Sequence, residues 1–181
     1  ELLPTLFWLA PIGAALALCI AYWLYIWIKK QPQGNDRMVQ IADWVKEGSL
    51  TYLKRQYKTV GIFFAVAVVL FMIASFSLKV LNPWVPLAFL TGGFFSGLAG
   101  FFGMKTATSA SSPTAQAATE TLNKSLMVAF RGGSVMGLVV TGLALLDISG
   151  WFIFLNWFVD HPSQEMKLFE ITTTMLTFGF G

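Results

Sequence analysis

The chain has 181 residues, of which 56% are hydrophobic and only 12% are charged. Because soluble domains usually carry about 25% charged residues, this composition argues against an ordinary soluble domain and favours a membrane protein. A single cysteine, Cys19, excludes a disulfide within the chain, and the single histidine, His161, has no neighbouring His or Cys with which to bind a metal. The net charge of +3 indicates membrane topology rather than nucleic-acid binding, since the basic residues flank apolar runs.

Five apolar runs follow one another along the chain. They occupy residues 6–28, 60–78, 85–104, 125–146 and 168–181. A helix of about 20 residues crosses the hydrocarbon core of a bilayer, and lipid offers backbone groups no other partners. The sequence therefore predicts an all-α polytopic membrane protein with four complete transmembrane helices and the start of a fifth. We assign all of them to one membrane domain, which is part of a larger helical bundle.

The segment between the first two runs, residues 29–59, is predicted to contain an amphipathic helix. Asn35 or Asp36 can cap its start, and apolar residues recur after Met38 at helical spacing. We expect this helix to continue into the second span, with Gly48 as the position where it could break. It could lie along the membrane surface or help to bind a ligand, and we favour the membrane surface.

The segment between the third and fourth runs, residues 105–124, is rich in alanine, serine and threonine. It could be disordered or helical. We favour a helix, because Pro113 suits a first helical turn and Ser111 or Ser112 can cap that turn. No glycine pattern typical of a phosphate-binding loop occurs here.

The basic residues predict the orientation in the membrane. Ten of the twelve follow the first or the third run, and only Lys79 and Lys167 do not. Because positive charge is retained in the cytoplasm, residues 29–59 and 105–124 are predicted to be cytoplasmic and the N-terminus to lie outside. Asn82 and His161 then fall in outer connections, whose tryptophans suit a membrane interface.

Arg131 is the one permanent charge inside an apolar run. It lies about one and a half turns into the fourth run. It could extend to the headgroups, or face neighbouring helices and bind carbonyls or a carboxylate, either Glu120 or one outside this segment. We expect Arg131 to anchor and orient its helix rather than to lie on an ion path.

Two pairs of glycines occur at a spacing of four residues. They are Gly93 with Gly97 and Gly133 with Gly137. Small residues at this spacing let helix backbones approach closely in lipid. We therefore expect these four glycines to face neighbouring helices and to have a structural role rather than a ligand-binding one.

Three segments resemble the N-terminal part of the membrane-bound, ion-translocating pyrophosphatases. They are MVQIADWVKEGSLTYLKRQYKTV, GFFGMKTATSASSPTAQAA and LNKSLMVAFRGGSVMGLVVTGLALL, and together they cover most of residues 38–146. The final TFGFG is similar to the start of that family's fifth span. The combination and order of these segments are far more specific than any single glycine pattern.

The resemblance implies a longer polypeptide that forms a homodimer in the bilayer, with two concentric rings of helices in each subunit. It implies hydrolysis of magnesium pyrophosphate at the cytoplasmic end of the inner ring, coupled to transport of H+, Na+ or both. Mg2+ is the implied cofactor, and K+ is a second one in some members. The first four spans would then belong to the outer ring, whereas residues 168–181 would begin an inner-ring helix.

The family's acidic motifs, such as DVGADLVGK and DNVGDNVGD, do not occur in this sequence. We accordingly assign no catalytic, substrate-binding or metal-binding residue, and we expect the hydrolytic residues outside this segment. The four complete runs also lack Asp and Glu in their central portions. The expected location is the cell (inner) membrane. The competing interpretation is a polytopic membrane protein without enzymatic activity, such as a secondary transporter or scaffold subunit.

Overall fold

The computed structural model describes residues 5–78, 81–158 and 164–179, and within these ranges every regular element is helical. A 3-10 turn, Thr5–Trp8, precedes the first long helix. The five long helices are α1 (Leu9–Lys29), α2 (Asp36–Met72), α3 (Val85–Glu120), α4 (Leu122–Phe158) and α5 (Gln164–Phe178).

Four of these helices, α1 to α4, are long and apolar enough to cross a membrane. This confirms the predicted all-α fold of a polytopic integral membrane protein. Helix α5 begins at Gln164, slightly before the predicted fifth run. Lys79 and His161, which the sequence assigns to outer connections, lie outside the described residues.

Helix α2 begins where the sequence predicts. The Oδ1 atom of Asn35 accepts a hydrogen bond from the backbone N–H of Met38 at 2.9 Å, which is the bond that an N-cap makes. The helix then continues through Gly48 without a break. It passes into a π-helical turn, Ile73–Ser77, and the hydroxyl of Ser75 within this turn donates to the Asn82 carbonyl at 2.9 Å.

Helix α3 corrects the prediction that a new helix starts at Pro113. The helix is continuous from Val85 to Glu120, with Pro113 in its interior. Interior proline removes an N–H donor and normally disfavours a helix. Here Pro113 is buried, and Ala110, one turn earlier in the helix, belongs to a hydrophobic core. Tertiary packing therefore outweighs the low helix propensity of proline.

Helix α4 is longer than the apolar run that predicted it. Thr121 separates it from α3, and its hydroxyl accepts from the Lys124 N–H at 3.3 Å. At the other end the helix continues to Phe158, through residues that the sequence assigned to an outer connection. Gly150 does not interrupt it, and the hydroxyl of Ser149 donates to the carbonyl of Leu145 at 2.6 Å.

The chain divides into two compact units. Unit 1 comprises Glu1–Ala14, Lys58–Gly97 and Leu143–Gly181, and unit 2 comprises Ala15–Tyr57 and Leu98–Gly142. In unit 1, Leu155 and Ile171 are buried, with Trp84, Trp151, Phe152, Phe154 and Met175 packed around them. In unit 2, the core joins α1, α3 and α4 through Ala21, Leu24, Ile28, Ala110 and Val135.

Large apolar side chains cover much of the outer surface of the spanning helices. Phe63 of α2 is 75% exposed and Phe130 of α4 is 77% exposed. Such surfaces are stable in contact with lipid or other helices and unfavourable in water. The spans therefore carry their apolar residues outward as well as inward, as membrane helices do.

Candidate functional site

Arg131 stacks on an aromatic ring within unit 2. Its Cζ atom lies 4.0 Å from the centroid of the Trp27 ring, so the guanidinium of α4 covers a face of the indole of α1. Trp27 is itself packed against the core of unit 2. The ring quadrupole attracts a cation at this distance, and the planar guanidinium suits stacking better than an ammonium does.

Glu120, the carboxylate that the sequence suggested as a partner of Arg131, pairs with a different residue. Glu120 forms an exposed ion pair with Lys124, one turn further along the chain. Within the described residues, Arg131 makes the contact with Trp27 and forms no hydrogen bond or ion pair. The structure thus identifies Trp27 as a specific contact of Arg131, which charge patterning alone does not predict. The structural role of Arg131 stays a prediction.

The four predicted glycines differ in their surroundings. A Cβ atom added at Gly93 would lie 2.1 Å from Cζ of Phe64, so α2 approaches the backbone of α3 closely there. An added Cβ at Gly97, Gly133 or Gly137 would have no described atom outside its own helix within 4 Å. Close packing is therefore present at Gly93, whereas contacts of the other three with helices outside the described residues stay predictions.

Another glycine makes a close contact that the spacing rule does not select. An added Cβ at Gly132, which is buried, would lie 3.1 Å from Cβ of Ala110. Gly132 precedes Gly133 and points to a different face of α4, because successive helical residues are rotated by about 100°. The spacing of four residues thus indicates that helices pack closely, but it does not identify the face.

Unit 1 contains a buried polar cluster that the sequence did not reveal. The Trp151 indole N–H donates to the Thr91 hydroxyl at 2.7 Å, and this hydroxyl donates its own hydrogen to the Ala88 carbonyl at 3.0 Å. Asp147 is only 6% exposed, and its Oδ2 atom has no partner among the described residues. A buried carboxylate oxygen is unfavourable unless a proton, a cation or a hydrogen-bond donor stabilises it, so Asp147 is a polar group in an apolar surrounding.

A second polar contact in unit 1 involves Asn82, which lies in the predicted outer connection before α3. The Nδ2 atom of Asn82 donates to Oε1 of Glu170 at 2.5 Å. This contact links the segment before α3 to α5, so Glu170 serves packing between helices. Its two partners are 88 residues apart, and no sequence periodicity predicts their pairing.

The described residues provide no group of three or more His, Cys, Asp or Glu side chains that could hold a metal ion. Pyrophosphate chemistry requires several carboxylates for Mg2+, together with basic groups for the phosphates. The described residues therefore do not fit a hydrolytic magnesium site.

The sequence profile of the inorganic H+ pyrophosphatases matches residues 15–181. The chain belongs to this family. Among the similar members, a provisionally named K+-stimulated pyrophosphate-energized sodium pump of Bacteroides thetaiotaomicron is 54% identical over 178 residues, 97% of this chain and 24% of the relative. A K+-insensitive pyrophosphate-energized proton pump of Moorella thermoacetica is 39% identical over 177 residues, again 97% of this chain and 24% of the relative.

A further pyrophosphatase of this family, a K+-insensitive pyrophosphate-energized proton pump of Methanosarcina mazei, is 41% identical over 146 residues. That match covers 80% of this chain and 21% of the relative. The chain thus spans about a quarter of the length of the curated pyrophosphatases that it matches. The match confirms the family indicated by the three sequence segments.

Proposed function

We propose that the intact protein containing this chain hydrolyses pyrophosphate and uses the energy to transport ions across a membrane. The observation that carries the proposal is the family match, which extends over residues 15–181. The relatives named as pyrophosphate-energized pumps support it, because the similarity extends over nearly the whole chain in two of them.

The specific form that we favour is a sodium pump stimulated by K+. The support is the 54% identity to the relative named for that activity, against 39% and 41% for two relatives named as K+-insensitive proton pumps. The alternative is transport of H+, alone or together with Na+, and the experiment must distinguish it from transport of Na+ alone. We also propose a homodimer located in the cell membrane.

Within such a pump, we infer that the described helices act as a scaffold. The described residues contain no carboxylate cluster for Mg2+, and the guanidinium of Arg131 lies over an aromatic ring rather than pairing with a described carboxylate. The magnesium-binding and hydrolytic residues are expected elsewhere in the intact protein. The proposed topology places residues 29–59 and 105–124 in the cytoplasm, which the distribution of basic residues supports.

The test uses the intact protein in sealed vesicles with its cytoplasmic side facing outward. Magnesium pyrophosphate should release phosphate and drive an ion gradient into the vesicles. Release should depend on Na+ and increase with K+ if the sodium form is correct. Accumulation of radioactive sodium that resists a protonophore distinguishes primary sodium transport from sodium exchange driven by a proton gradient. A well-folded intact protein that hydrolyses no pyrophosphate with Mg2+, Na+ and K+ present would refute the proposal.

A further inference from the structure

Unit 2 contains a small polar cleft where the end of α1, the first turns of α2 and the hydroxyl-rich part of α3 meet. Its volume is 130 Å³. Ile28, Thr108 and Ser112, all buried, lie among its lining residues, and the exposed side chains of Lys29, Asp43 and Lys46 line it as well. The proposed function assigns no role to these residues, so we consider separately what the cleft could bind.

The hydroxyl of Ser112 is an unused donor in this cleft. Ser112 is only 7% exposed, and its hydroxyl makes no hydrogen bond with the described residues. The Ser111 hydroxyl donates to the Thr108 carbonyl at 2.8 Å, and this is the carbonyl that Ser112 would otherwise reach in a helix. By contrast, Ser109, which also lines the cleft, donates its hydroxyl hydrogen to the Lys105 carbonyl at 2.7 Å.

The charged groups of the cleft give it a net positive charge. Lys29 and Lys46 contribute two ammonium groups and Asp43 one carboxylate, and none of the three forms an ion pair with another described residue. The Nζ atom of Lys29 lies 5.3 Å from the centroid of the Tyr25 ring, which holds the ammonium near the end of α1. The resulting charge of +1 balances an anion with a single negative charge.

The position of the cleft indicates the source of that anion. Lys29 is the last residue of α1, a helix long and apolar enough to cross a membrane. Tyr25 and Trp27, in the last turns of the same helix, are of the kind that marks the membrane interface. The cleft therefore lies at the level where lipid headgroups occur, and phosphodiester headgroups such as phosphatidylglycerol carry one negative charge.

We propose that this cleft binds the phosphate group of an anionic phospholipid, with Lys29 and Lys46 contacting its charge and the Ser112 hydroxyl donating a hydrogen bond to a phosphate oxygen. A free phosphate ion offers the same chemistry, but it carries more charge at neutral pH, which the Asp43 carboxylate disfavours. On the proposed topology the lipid belongs to the cytoplasmic leaflet, whose anionic lipids attract lysines close to spanning helices.

The test is native mass spectrometry of the intact protein in detergent, titrated with phosphatidylglycerol or with phosphatidylcholine. The apparent Kd of the first phosphatidylglycerol should rise roughly fivefold in Lys29→Gln and in Lys46→Gln, since one lysine near a membrane surface contributes about 1 kcal/mol. Ser112→Ala should raise it several-fold by removing one donor. Phosphatidylcholine should bind more weakly and equally to all variants.

Two control variants separate a site from general charge attraction. Lys54→Gln removes the same charge from α2 at a position that does not line the cleft, and Ser109→Ala removes a cleft hydroxyl whose hydrogen is already donated. Both should bind phosphatidylglycerol like the unchanged protein. If Lys29→Gln, Lys46→Gln and Ser112→Ala bind it no more weakly than these controls, the site does not exist. If inorganic phosphate displaces the lipid at comparable concentration, the assignment to a lipid is wrong. Neither readout depends on hydrolysis, so both are independent of the proposed function.

Discussion

The guanidinium of Arg131 lies on the ring of Trp27, with 4.0 Å between its Cζ atom and the ring centroid. This contact joins α4 to α1 and gives a favourable partner to a charge that forms no ion pair among the described residues. An intramembrane arginine is costly unless it reaches the headgroups or a partner, and an aromatic face is such a partner. The contact explains how an apolar helix can retain this charge although no described carboxylate pairs with it.

The stability of the intact protein should depend on this pair. Trp27→Leu removes the aromatic face, and Arg131→Lys keeps the charge but loses the planar group that stacks. In a double-mutant cycle of thermal unfolding, the two changes should be less than additive, with a coupling of about 1 kcal/mol. Trp27→Phe, which keeps an aromatic face, should lower stability less than Trp27→Leu. Fully additive losses would show that the two side chains do not interact.

Substitution of Gly93 should reveal the close approach of α2 and α3. The Gly93→Ala methyl group would lie 2.1 Å from Cζ of Phe64, a ring that is itself stacked on Phe89 with 4.4 Å between centroids. We expect a loss of about 1–3 kcal/mol, the usual result of overpacking. Thermal unfolding of the intact protein provides the measurement.

Gly137→Ala is the matched control for Gly93→Ala, because the described residues leave open space there. With respect to the described helices alone, it should be neutral, or stabilise the helix by up to about 1 kcal/mol through better helix propensity. A loss at Gly137 as large as that at Gly93 would instead reveal a neighbouring helix outside the described residues. Equal tolerance at both positions would contradict the close contact at Gly93.

Thr91 should be important for the polar cluster of unit 1. Thr91→Val keeps the shape of the side chain but removes the acceptor of the Trp151 indole N–H and the hydroxyl that donates to the Ala88 carbonyl. Leaving buried polar groups unsatisfied costs about 1–3 kcal/mol each. Thr91→Ser, which keeps the hydroxyl, should retain most of the stability. Equal unfolding midpoints for the two variants would mean that the hydroxyl is unimportant.

The orientation in the membrane can be tested by labelling introduced cysteines after replacing Cys19, which is exposed. Arg37→Cys and Lys105→Cys should react only from the cytoplasmic side, because basic connections remain in the cytoplasm. Pro83→Cys should react only from outside. Pro83 is preferable to Asn82 for this purpose, since Pro83 is exposed whereas Asn82 is bonded to Glu170. Labelling of position 83 from the cytoplasm alone would reverse the topology.

Hydrophobic runs and caps predicted much of the fold, because these signals are local. The cap at Asn35 and the four spanning helices are examples. The interior position of Pro113 could not be predicted, since a helix that carries a proline depends on the core packed around it. Likewise, local sequence identified Arg131 as unusual but could not identify Trp27 as its partner, which is more than 100 residues away. The polar cluster around Asp147 could not be predicted either, because Thr91 and Trp151, which form a hydrogen bond in it, are 60 residues apart in the sequence.

The most direct test of the scaffold role is the number of ions transported per pyrophosphate hydrolysed by Arg131 variants of the intact protein. Arg131→Ala and Arg131→Lys should reduce the amount and the thermal stability of assembled protein, because each loses all or part of the contact with Trp27. The transport ratio of the folded fraction in sealed vesicles should remain that of the unchanged protein. Normal assembly and hydrolysis with abolished transport would contradict the account and place Arg131 on the coupling path.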